Sequence, residues 1–157
     1  MHAAASGGHT KILSLLFDHG AGVDCRDIHA YTPLFLTAEY GKKAGQFLLD
    51  CGADINPRNW FGDTPLTYAA QQGFIEYSRM LLERGALIDT QDGYGSTALH
   101  MTISMRKPEA VRLLLEYSAD VNVRDYLGKT PPQLASSKGY EEIVELLSAY
   151  GAEPVDN

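Results

Sequence analysis

Residues 59–91 show the polar and apolar pattern of this chain most clearly. Asn59-Trp60-Phe61-Gly62-Asp63 has turn chemistry. Thr64-Pro65 then reads as an N-cap followed by proline at the first helical position, where its missing N–H costs nothing. Leu66, Ala69 and Ala70 put small apolar residues on one face of a short helix, which lets a neighbour approach closely. Gly73 is placed to end that helix in a left-handed conformation. Ile75 to Glu83 forms a second amphipathic segment, with Tyr77, Met80, Leu81 and Leu82 as its buried stripe. Gly85 stops it, and a loop runs through Asp89 to the next turn at Asp92.

The same grammar recurs. Thr32, Thr64, Thr97 and Thr130 open the phrases TPLF, TPLT, TALH and TPPQ, at steps of 32, 33 and 33. Gly20, Gly52, Gly85, Ser118 and Gly151 mark a second phrase at steps of 32, 33, 33 and 33. Two independent markers share one period and drop a residue in the same unit, so the chain is a tandem repeat.

These phrases resemble the TPLH signature of ankyrin repeats, and Gly-Ala-Asp-Ile-Asn at 52–56 and Ser-Ala-Asp-Val-Asn at 118–122 resemble that family's inter-repeat loop. The resemblance covers essentially the whole chain. It implies an all-α solenoid of about five helix–turn–helix repeats joined by β-turn fingers, forming one domain over 1–157. The units are 1–26 (partial), 27–58, 59–91, 92–124 and 125–157. It also implies a non-catalytic module whose protein partner docks on the fingers and the concave face of first helices.

The units are uneven. In the first, His2 falls on the TPLH histidine and Gly8-His9 on the helix break, leaving a first helix too short to stand alone. Either the chain is a piece of a longer protein, which is the expectation, or its first turn frays. In the second, aligning Gly41 with Gly73 puts the missing residue near Lys42-Lys43, at the start of the second helix. Ala44 and Gly45 then stand where Ile12 and Leu13 stand, and the glycine costs about 1 kcal/mol. In the fourth, Arg106 and Ser118 replace both helix-ending glycines. In the fifth, Ser136, Ser137, Ser148 and the tail from Glu153 to Asn157 suggest a polar terminal cap and a natural C-terminus.

Composition changes this picture little. A formal net charge of -7 and a pI near 5.1 argue against nucleic acid and anionic membrane as partners. The longest apolar run, Ile12 to Phe17, is too short to span a bilayer. Cys25 and Cys51 form no CxxC or metal-ligand cluster and suit a reducing compartment, hence the cytoplasm or nucleus. A monomer is expected. His2 and His100 read as structural, His9 fits the start of a second helix, and His29 is free on a finger. With no Ser/His/Asp order, paired carboxylates or phosphate loop, the pattern points to no enzyme, cofactor or metal site.

Candidate partner contacts are therefore the finger residues His29, Tyr31, Trp60, Phe61, Tyr94 and Tyr126, with Tyr40, Tyr68 and Met105 on the first helices. Aromatics and methionine are what interface cores favour, and Trp60 and Tyr126 lie nearest the finger tips. Phe61 and Tyr94 precede the turn glycine, where the family often packs finger on finger. Leu114 with Asn122, and Leu48 with Asn56, resemble the asparagine-hydroxylation context of ankyrin repeats. A regulatory region of a larger enzyme, channel or receptor is an alternative. So is a stand-alone inhibitor resembling the cyclin-dependent-kinase inhibitors, which are short ankyrin arrays with an irregular second repeat. Placing the irregularity in the second helix rather than the first weighs against that alternative.

Overall fold

The computed structural model describes residues 1–39 and 41–151. Among them are ten helices and no strand: α1 (His2–Ser6), α2 (Thr10–Asp18), α3 (Pro33–Leu36), α4 (Lys42–Asp50), α5 (Pro65–Gln72), α6 (Ile75–Glu83), α7 (Ala98–Ser104), α8 (Pro108–Glu116), α9 (Pro131–Ser137) and α10 (Glu141–Ala149). Odd-numbered helices pack on odd ones and even on even, so the chain stacks as two layers of helices with the apolar core between them. This is the all-α solenoid that the resemblance to ankyrin repeats implies.

Each first helix starts at the Thr-Pro phrase, and local chemistry explains why. Thr64 with Thr67, and Thr130 with Gln133, make reciprocal capping boxes. His100 plays the same part for Thr97: its Nδ1 lies 3.2 Å from the Thr97 N–H and 2.9 Å from Oγ1. Its Nε2 must then carry the proton, which it donates to the Lys129 carbonyl at 3.1 Å. His2 donates through Nε2 to the Tyr31 carbonyl at 2.9 Å in the same register. That bond ties the five-residue α1, with Ala4 and Ala5 buried, to the next finger. In the second repeat Phe35 stands where the capping side chain should be, and the buried Thr32 Oγ1 has no partner.

Left-handed residues end the first helices at Gly8 (φ 65°), Gly73 (85°), Arg106 (52°) and Gly139 (68°). Arg106 and Ser118 (63°) adopt this conformation without being glycine, as their positions predict. Ala30 (63°) does so too, in place of the turn glycines Gly62, Gly95 and Gly128. Ser136, Ser137 and Ser148 are exposed on the last pair of helices. The tail from Glu153 to Asn157, read as part of a cap, lies outside the described residues.

The second repeat corrects the sequence reading. The α4 helix has nine residues, as does every other second helix. Gly41 is its N-cap with φ −126°, so it corresponds to Phe74 rather than to the left-handed Gly73. The missing residue therefore falls in the first helix and its turn. The α3 helix has four residues, against eight in α5 and seven in α7 and α9.

Gly45 is not a defect either. A Cβ there would lie 2.8 Å from Tyr77 Cε2 and 2.9 Å from Thr37 Oγ1. The Tyr77 ring of the third repeat fills the space, and its hydroxyl donates to the Leu34 carbonyl at 2.7 Å, beside Thr37 Oγ1 at 2.6 Å. The tyrosine thus holds the truncated α3 from the next repeat. Burial pushes its phenol far above the ordinary value, with the Thr37 hydrogen bond pulling the other way, and the hydroxyl stays neutral.

Candidate partner-binding surface

The fingers are shaped by one side chain each. Asp27 Oδ1 accepts the N–H groups of His29 and Tyr31, at 2.8 and 2.9 Å. Asn59 Oδ1 takes those of Phe61 and Asp63, both at 2.9 Å. Asp92 and Asp125 do the same for Tyr94 and Ser96, and for Leu127 and Lys129. This is the Asx-turn mechanism repeated in register. The sequence reading missed it, although an Asp or Asn three residues before each turn position was a visible signal.

Adjacent fingers are joined backbone to backbone. Trp60 N–H donates to the His29 carbonyl (3.2 Å), Gly93 to Phe61 (2.8 Å) and Tyr126 to Tyr94 (3.0 Å). The candidate side chains are thereby carried in one row. Trp60 is 73% exposed, Tyr94 69%, Tyr126 74% and Phe61 54%, so most of each ring's surface remains open. The exposed His29 meets Trp60 edge-on, with ring centroids 6.0 Å apart. Tyr126 passes over Gly95, where a Cβ would collide with the ring.

Tyr31 and Tyr68 belong to a different group. Both are half-buried and pack edge-on with the buried Phe35, at centroid separations of 5.0 and 6.3 Å. This aromatic cluster lies under the second and third fingers. Met105 is exposed at the C-cap of α7. Tyr40 lies outside the described residues.

Two carboxylates in the fingers are perturbed. Burial raises the Asp63 carboxyl above its usual range and the nearby Asp92 adds to this, while the Asn59 hydrogen bond and Arg58 oppose it. At Asp27 partial desolvation pushes the pKa up, but the N–H donors of His29 and Tyr31 win and lower it.

The inter-repeat loops carry a second periodic staple. Asp24 accepts the Asp54 N–H, Asn56 Oδ1 accepts the Leu87 N–H at 2.9 Å, and Asp89 accepts the Asp120 N–H at 3.0 Å. Asn56 is therefore tied to the following repeat. Asn122 is exposed and donates its own N–H to Asp120 at 2.8 Å. Among the described residues no group of three His, Cys, Asp or Glu side chains could hold a metal ion, and no helix is long and apolar enough to cross a membrane.

Stacked helix pairs with hydrogen-bonded fingers define a helical-repeat solenoid. A family model described as ankyrin repeats (three copies) matches residues 1–92 and 87–157, and the chain belongs to the ankyrin repeat family. It is 34% identical over 79 residues to protein phosphatase 1 regulatory subunit 12A of Mus musculus, covering 48% of this chain and 8% of that protein. It is 38% identical over 76 residues to human ankyrin repeat and KH domain-containing protein 1, covering 46% and 3%. With human ankyrin repeat and SOCS box protein 6 it shares 39% over 72 residues, covering 44% and 17%. The matched stretch is thus a small part of each of these relatives. The family is a non-catalytic interaction fold, which implies protein partners in general.

Proposed function

We propose that this chain, as one domain over residues 1–157, binds a partner protein through its fingers and concave face and performs no catalysis of its own. Trp60 is the centre of the contact, with Phe61, Tyr94, Tyr126, His29 and Met105 around it and Tyr31 and Tyr68 supporting the fingers from beneath. The observation that carries this reading is the row of exposed rings held at fixed spacing by finger-to-finger backbone bonds. Exposed apolar rings on a rigid frame gain burial on binding at little entropic cost. The proposal includes action as a monomeric scaffold in the cytoplasm or nucleus.

Affinity purification on the intact chain supplies the partner, and titration calorimetry compares the wild type with Trp60→Ala. The variant should keep its unfolding midpoint, because the ring is 73% exposed, and lose more than about 2 kcal/mol of binding. Equal affinities would end the reading.

A second reading is that of a regulatory segment within a larger protein, or an inhibitor of a partner enzyme. One relative is by name a regulatory subunit, of which the matched stretch is 8%. The irregularity of the second repeat lies in its first helix, so the ground for setting the inhibitor apart falls away. Recovery of a kinase, inhibited on binding, would favour this reading; partners without enzymatic activity would count against the inhibitor.

A further inference from the structure

The charges of this chain are sorted by layer. Carboxylates crowd the second helices and inter-repeat loops, as at Glu109, Glu116, Glu141, Glu142 and Glu145. The three ion pairs among the described residues, Lys42–Glu76, Arg79–Glu116 and Arg84–Asp50, all join that layer to itself. On the binding side the acids are few and, apart from the exposed Glu39, folded inwards. Asp27, Asp92 and Asp125 are folded back as acceptors within their own fingers, and Asp63 is buried against Asn59.

At the C-terminal end this leaves positive charge in excess, with Asp125 the one carboxylate between Arg124 and Lys138. Helices α7 and α9 contain no carboxylate. Beside the exposed Tyr126, Arg124 donates to the Gly128 carbonyl at 2.7 Å, and Lys129 Nζ reaches across to Ser137 Oγ at 3.3 Å, next to the exposed Lys138. None of these three cations has an ion-pair partner among the described residues. In a protein of net charge -7, a patch with three cations and one carboxylate beside apolar rings is a local reversal of sign. Complementary potentials of this kind select partners and set register.

We infer that the fingers and first helices of the fourth and fifth repeats receive an acidic, carboxylate-rich segment of the partner protein, with an apolar side chain of that segment on Tyr126. This rests on the proposed binding face and adds the chemistry of its ligand. The opposite sign of the rest of the molecule repels a long polyanion, so a protein segment fits better than nucleic acid.

The test is selection of short displayed peptides on the intact chain. Affinities of the enriched peptides are then measured for wild type, Arg124→Glu/Lys129→Glu/Lys138→Glu, the milder Lys129→Gln/Lys138→Gln, and Trp60→Ala/Tyr126→Ala, each checked for an unchanged unfolding midpoint. Enriched peptides should be rich in Asp and Glu, and added sodium chloride should weaken them. Triple charge reversal should weaken them about tenfold, as expected for three solvent-exposed charges. Neutral or basic peptides, no enrichment, or affinity indifferent to the charge variants would overturn the inference. If affinity falls in Trp60→Ala/Tyr126→Ala but not in the charge variants, the docking face survives and the acidic ligand does not. If neither set matters, the face fails as well. A single-stranded oligonucleotide that binds as tightly as the best peptide, and is lost on charge reversal, would assign the patch to nucleic acid instead.

Discussion

The Tyr77 hydroxyl donates to the Leu34 carbonyl across 43 positions of sequence, at 2.7 Å. The bond links the second helix of one repeat to the truncated first helix of the repeat before it, and it passes over Gly45. Tyr77→Phe should lower stability by about 1 kcal/mol, since Thr37 Oγ1 can still serve the same carbonyl at 2.9 Å. Gly45→Ala should also destabilise, by about 1–3 kcal/mol, although alanine is the better helix former, because the new methyl would collide with the Tyr77 ring. Urea denaturation of both variants checks this. A stabilised Gly45→Ala protein would contradict the packing.

Three residues pay for left-handed backbone without being glycine. Ala30→Gly and Ser118→Gly should each raise the unfolding free energy by about 1 kcal/mol. Arg106→Gly should gain less. The Arg106 guanidinium lies 5.4 Å from the centroid of the Tyr140 ring, and that contact, worth about 0.5–1 kcal/mol, would be lost. Thermal unfolding of the three variants should rank Arg106→Gly lowest.

The raised Asp63 carboxyl gives a pH dependence of known sign. A carboxyl whose folded pKa lies above its unfolded value, about 3.9, contributes stability that is present below that value and is lost as pH rises through the folded one. Desolvation is the leading cause here. Asp63→Asn should therefore be more stable than wild type at neutral pH, and the difference should shrink on acidification. Denaturation midpoints across pH 4 to 7 follow the effect, and a pH-independent difference would exclude it.

Asn56 acts as a staple through one oxygen. Asn56→Ala strands the Leu87 N–H and should cost about 1 kcal/mol, whereas Asn56→Asp keeps an acceptor and should recover most of it, as Asp24 and Asp89 do in the same role. If Asn56 or Asn122 is also hydroxylated, as we propose from the family context, mass spectrometry of cell-derived protein will show the added oxygen. Unmodified peptides at both positions would remove that proposal.

The helical period, the Thr-Pro starts and the left-handed Arg106 and Ser118 were legible because each is a local property repeated in register. The truncation was not. Gly41 has the same residue type as Gly73, so matching by identity puts the gap after it, whereas its backbone matches Phe74. Gly45 reads as a flaw within its own helix and as a necessity only beside Tyr77, which belongs to the next repeat. The exposed rings Trp60 and Tyr126 could be placed at finger tips from the turn alone. Tyr68 could be placed on its first helix and Tyr31 on its finger, but their burial could not be read, because it depends on packing against Phe35 of α3.

The staples at Asp24, Asn56 and Asp89 and the finger-to-finger bonds join immediate neighbours only. A load applied along the stack would therefore be borne by one seam at a time, like links in series, and the weakest would part first. The seams bridged by His2, Tyr77 and His100 each carry a further side-chain tie that is buried or part-buried, whereas the side-chain ties between the third and fourth repeats are exposed, so rupture should begin there. It would part the Trp60 finger from those of Tyr94 and Tyr126.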